Sequence, residues 1–201
     1  MIVARSVYCS GSIVKGTAEA NRLCWTDNER DEVRQGASPR EVVFLNPDDP
    51  ITDPDNTLGQ FGRDMYQVML ASAVIVDARE RRGLGIGVEM AAAAAFDTPV
   101  IFVAPRNSKY RSDLLEYRGA SVKNYVHPHV ASLANCVVDD FFDAGQALDR
   151  LDDARDVTQR RMPDWLRGAI EEYSTNLLQK DRYMLAALHD LGLDPKAMPI
   201  D

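Results

Sequence analysis

Glu89 closes a glycine-rich run, Gly83-Leu84-Gly85-Ile86-Gly87-Val88-Glu89, followed by Met90 and the five alanines Ala91 to Ala95. The run lies between a β-branched stretch, Ala73-Val74-Ile75-Val76-Asp77, and strong helix formers, which predicts a turn from a strand tip into a helix. Glycines there let backbone N–H groups approach a ligand, and a first helical turn adds unpaired donors and the positive end of the helix dipole. A carboxylate so placed stays ionised at neutral pH, which suits a nucleophile better than a general acid. The same residues also fit a plain reading, in which Glu89 is a favourable first-turn residue and the glycines a tight connection. Local sequence leaves both open.

A second acid, Asp64, follows Phe61 by three residues and precedes Val68 by four, on the apolar stripe of a predicted helix. A carboxylate turned toward packing needs a partner or a task, and an acid at the stripe's margin that pairs locally fits equally. Other chemistries find less support. The glycine run lacks the third glycine of a dinucleotide fingerprint in either register, since Val88 or Met90 stands there. Lys15 belongs to no Walker A pattern, and the three histidines fall too late in the chain to suggest a Ser-His-Asp order. His127-Pro128-His129 offers two metal donors without a third, which reads as a surface loop, so neither a metal nor a cofactor is expected.

The elements that must position these groups follow from periodicity. Strands are predicted at Ile2 to Cys9, Glu41 to Leu45, Ala73 to Asp77, Pro99 to Ala104 and Asn135 to Asp139. Helices are predicted at Thr17 to Arg34, Leu58 to Ser72, the alanine-rich segment after Glu89, and from Gln146 to Leu151. Asn46 to Thr57, with three prolines, must be a loop. This alternation predicts an α/β, Rossmann-like or flavodoxin-like fold with a five-stranded parallel sheet flanked by helices, and places a ligand where strand order reverses. The loops Ser10 to Gly16, Asn46 to Thr57 and Arg79 to Gly87 should meet there. From Pro163, apolar residues from Leu166 to Leu191 recur at helical spacing, predicting one long C-terminal helix ended by Gly192 and Pro195. Residues 1–153 therefore read as the α/β domain and 154–201 as a helical extension.

Composition narrows the partners. A net charge of −8 over 201 residues argues against binding a nucleic-acid polymer, though not against a small anion. Cys9, Cys24 and Cys136 form no CxxC pair and suggest a reducing cytoplasm. No run approaches the ~18 apolar residues of a membrane span, so no membrane partner is expected.

Val7-Tyr8-Cys9-Ser10-Gly11-Ser12-Ile13, then Asp64, then Leu84-Gly85-Ile86-Gly87-Val88-Glu89-Met90 together resemble the nucleoside 2-deoxyribosyltransferase superfamily. Within it they are most similar to the 2'-deoxynucleoside 5'-phosphate N-hydrolases, whose motifs resemble Tyr-x-Cys-Gly-Ser-Ile and Leu-Gly-Val-Gly-Tyr-Glu-Leu. The likeness covers residues 5 to 105, weakening to about 150. It implies that Glu89 attacks the anomeric carbon of a deoxyribose, that Asp64 is the second acid, and that Tyr8 positions Glu89. It also implies that Ser10, Gly11, Ser12, Ile13, Gly85 and Gly87 line the substrate, a nucleoside or nucleotide. A homodimer or larger homo-oligomer is implied too, with Ser112 to Asn124 or the final helix at the interface. Two positions depart from the pattern: Gly83 stands where the hydrolases carry a phosphate-binding serine, and Val14, followed by Lys15, where they carry an arginine. Arg81, Arg82 and Lys15 are candidate replacements. Non-catalytic nucleotide sensing and base exchange are the rival readings.

Overall fold

β-Branched runs alternating with helix formers give the expected α/β arrangement. The computed structural model describes residues 4–11, 25–47, 53, 55–80, 83–151 and 164–195. Among them the strands are β1 (Arg5–Ser10), β2 (Val42–Leu45), β3 (Ala73–Asp77), β4 (Val100–Val103), β5 (Arg111–Tyr117), β6 (Ala120–Val126) and β7 (Cys136–Val138). Five of these form a parallel sheet in the order β2-β1-β3-β4-β7, the flavodoxin-like order once the hairpin strands are set aside. The chain leaves β1 for β2 on one side and returns to β3 on the other. Tyr8 consequently pairs with Leu45 and with Val74, and Ser10 with Val76, at the carboxyl edge where order reverses.

Both faces of the sheet are covered, which is why β1, β3 and β4 are buried along their whole length. Helices α1 (Asp27–Ala37) and α5 (Phe141–Asp149) take one face, with Val7, Cys9, Ile75 and Ile101 beneath them. The opposite core, containing Tyr8, Val74, Val76 and Phe102, is covered by α2 (Thr57–Leu70), α3 (Leu84–Ala95) and two C-terminal helices, α6 (Asp164–Asn176) and α7 (Arg182–Asp190). A short helix, α4 (Pro128–Leu133), precedes β7. Packing is close at glycines. A Cβ on Gly62 of α2 would stand 1.8 Å from the Ala169 carbonyl oxygen of α6, so these two helices meet backbone to backbone.

Several expectations need correction. The first helix begins at Asp27 rather than Thr17; Trp25 is buried with a left-handed φ of 57°, and residues 17–24 lie outside the described residues. The helix expected from Gln146 begins at Phe141, because the Asp140 side chain accepts from the Asp143 N–H at 2.8 Å and caps it. The single C-terminal helix is two. After Asn176 the chain tightens into a 3-10 turn, Leu178–Lys180, and Asp181 restarts it as the N-cap of α7 by accepting from the Met184 N–H at 3.1 Å. Gly192, at φ 68°, ends it as anticipated. The hairpin β5–β6 is new: Arg118 and Gly119, both at positive φ, form its two-residue turn. No helix among the described residues is long and apolar enough to cross a membrane.

Candidate active site

Tyr8 and Ser10 are two apart on β1 and therefore point to the same face of the sheet, under α3. Both reach Glu89. The Tyr8 hydroxyl donates to Glu89 Oε1 at 3.1 Å, and Ser10 Oγ donates to Oε2 at 2.5 Å. Ser10 is fully buried and its own carbonyl accepts from Trp25 Nε1 at 3.1 Å, so its hydroxyl is held in place from behind. One hydroxyl thus fixes each oxygen of a single half-buried carboxylate.

The setting of that carboxylate differs from the one the sequence suggests. Helix α3 starts inside the glycine run, with Gly83 as N-cap and Gly85 and Gly87 within its first turn. Glu89 lies in the second turn, beyond the unpaired donors of the helix start. Its acidity is set by other groups: burial pushes it above the ordinary glutamate range, and the hydrogen bonds from Ser10 and Tyr8 oppose that without cancelling it. The glycines keep the approach open. A Cβ on Gly85, one turn before Glu89, would lie 4.0 Å from Oε1, and one on Gly87 or Gly83 would meet nothing within 4 Å.

Tyr8 remains a proton donor. Complete burial raises its pKa well above the ordinary value, and the negative charges of Glu89 and Asp64 and the hydrogen bond to Glu89 add to that, while Arg63 opposes them. The same influences place Asp64, half-buried on α2, in the electrostatic neighbourhood of the Tyr8–Glu89 pair. Gly11 follows β1 directly and is half-buried. Ser12 and Ile13, together with Val14, Lys15, Arg81 and Arg82, lie outside the described residues.

Two features escaped the sequence reading. Asp77, fully buried at the end of β3, binds Arg79 through its N–H at 3.1 Å and its Nε at 3.0 Å; Arg79 also reaches Glu29 at 3.1 Å and lies over the Phe141 ring. This brace ties the exit of β3 to α1. Burial pushes Glu29 up, but hydrogen bonds from Thr26, its own backbone and Arg79 outweigh it and hold Glu29 low. The second is Ser10's bond to Glu89, whose signal was present in the i, i+2 spacing from Tyr8.

His127 and His129 stack edge to face, with ring centroids 5.1 Å apart, and His127 meets Tyr110 in the same manner. Among the described residues no group of three or more His, Cys, Asp or Glu stands together as a metal site would need. A cleft of about 520 Å³ runs along the outer edge of β2, lined by Arg30, Arg34, Phe44, Asn46, Arg182 and Tyr183 among others; neither Glu89 nor Tyr8 borders it.

No family model matches this chain, and no curated protein does. Among solved structures it is similar to one described as 2-desoxiribosyltransferase from Leishmania mexicana, at 20% identity, with 73% of this chain and 98% of that chain covered and a TM-score of 0.46.

Proposed function

We propose that this protein cleaves the N-glycosidic bond of a 2'-deoxynucleoside or its 5'-monophosphate, with Glu89 as nucleophile. The observation that carries the reading is the pair of hydroxyls, Tyr8 on Oε1 and Ser10 on Oε2, that hold one carboxylate at the carboxyl edge of the sheet where strand order reverses. Glu89 attacks C1' as the C1'–N bond breaks. The bonding electrons leave with the base nitrogen, which in this reading takes a proton that Asp64 supplies or steers. Water then attacks C1' of the glycosyl ester, Glu89 departs as carboxylate, and the water's proton passes to solvent. This is the logic of retaining glycosidases applied to a C–N bond.

Hydrolysis is preferred to base exchange because the opening motif is more similar to that of the N-hydrolases. Residues 1–153 form the catalytic unit in this reading. The hairpin tip supports a subunit contact, since Leu114 and Tyr117 are 54% and 55% exposed.

The test is to incubate the protein with each deoxynucleoside and deoxynucleoside monophosphate, with and without an acceptor base, and to follow free base and new nucleoside by chromatography. Release of base without acceptor, lost in Glu89→Ala, is the expected result. New nucleoside only when an acceptor is present makes it a transferase. Tight nucleotide binding without turnover leaves the sensing role, and absence of base release from every substrate removes the enzymatic reading.

A further inference from the structure

Next to Asp64 on α2 stands a residue that this chemistry does not use. Arg63 is only 2% exposed, and its guanidinium is shared among separate parts of the chain. Nε donates to Asp181 Oδ2 at 2.5 Å and Nη1 to the Asn46 carbonyl at 3.1 Å. The Gln67 amide, with its oxygen turned inward, accepts from both Nη atoms at 3.2 Å. Asp181 is buried completely; its Oδ2 also accepts from the Tyr173 hydroxyl at 2.9 Å, and its Oδ1 caps α7. One carboxylate therefore gathers α6, α7 and Arg63. Asn46 directly follows Leu45, the β2 partner of Tyr8, so the guanidinium holds the strand exit beside the candidate site.

A fully buried ion pair is a poor device for stability alone. Desolvation offsets much of its attraction, and an apolar pair of similar volume is often as stable or more so. What the pair does provide is geometry: the fork of arginine meets a carboxylate and a carbonyl at once, which lysine cannot do. We propose that Arg63 and Asp181 are positioning residues through which the C-terminal helices set Asp64 and the exit of β2 against the Tyr8–Glu89–Ser10 cluster. The role given to Asp64 rests on the N-glycosidase reading; the coupling of the helices to the cluster does not.

The decisive variant is the double Arg63→Met/Asp181→Leu, compared with Asp181→Asn alone. Asp181→Asn lowers Tm, because it leaves a buried guanidinium without its counter-charge, and the double variant recovers only part of that loss, since leucine neither caps α7 nor accepts from Tyr173. The double variant nevertheless keeps kcat for base release about 10- to 100-fold down, with KM little changed. Carbon-13 NMR titration of the Glu89 carboxyl shows its midpoint moved upward, because a cluster out of register loses the Ser10 and Tyr8 hydrogen bonds that hold it down. A double variant with wild-type kcat and carboxyl titration, whatever its Tm, overturns the proposal and leaves a purely structural pair. Should the double variant not fold, Arg63→Lys replaces it: it keeps the charge but loses the fork, so kcat falls, and unchanged kcat and titrations overturn the proposal equally. If the wild-type protein releases no base from any substrate, the functional reading fails, and the NMR titration still decides whether the pair acts on the cluster.

Discussion

A carboxyl group with a raised pKa must lose its proton before it can attack a sugar carbon. Base release should therefore rise with pH through a midpoint above the ordinary glutamate value of about 4.3, as a pH–rate profile will measure. The same shift carries a stability consequence of definite sign. Because the folded state raises the pKa of Glu89, protonation stabilises it fully below the unfolded value, and that contribution is lost as pH rises through the folded value. Glu89→Gln should thus match the wild type in Tm near pH 3 and exceed it at neutral pH, as calorimetry at several pH values would reveal; a variant less stable than the wild type at neutral pH would mean that the fold favours the ionised carboxylate. At Gly83 the open space and a φ of −85° admit any side chain. Gly83→Ser should add an N-cap worth a few tenths of a kcal/mol and, with a 5'-monophosphate as substrate, lower KM for the nucleotide but not for the nucleoside. Equal KM changes for both would dissociate this position from the 5' end.

Helix α2 links the C-terminal helices to the sheet, and its contact with α6 leaves no room for a methyl group. Gly62→Ala should destabilise the protein by roughly 1–3 kcal/mol through separation of α2 from α6, read as a lower denaturant midpoint at unchanged m-value. The elements that sequence alone revealed best were those buried on both faces. Ala73 to Val76 and β4 are continuous apolar runs, and a parallel sheet followed from the alternation of such runs with helices. Sequence was least informative where a single side chain decides an element's end. Asp140 and Asp181 each start a helix through one capping bond inside otherwise unbroken periodicity, and Arg118-Gly119 turns a hairpin without the usual Asn-Gly signal. In the candidate site, Tyr8, Asp64 and Glu89 were legible as types and spacings. Ser10's grip on Glu89 had a signal only in its spacing from Tyr8, and Arg63's grip on Asp181 had none, since it joins residues 118 positions apart.

At the scale of the molecule, two helical layers enclose the sheet but leave its two outer strands, β2 and β7, without a neighbouring strand among the described residues. A bare strand edge is a template for another chain, and β2, with Val42, Val43 and Phe44 along it, is apolar in sequence. The cleft beside β2 is where this hazard is met. Arg30 and Arg34 from α1 and Arg182 from α7 flank it, with the guanidinium carbons of Arg34 and Arg182 4.9 and 4.8 Å from the ring centroids of Phe44 and Tyr183. These long charged side chains, two of them paired with Asp27 and Asp31, stand over the strand edge and make it costly for an identical edge to zip alongside. Their joint replacement, Arg30→Ser/Arg34→Ser/Arg182→Ser, should leave base release intact while light scattering records growing particles on storage, fastest in high salt. The cleft would then owe its shape less to anything it holds than to the company it keeps away.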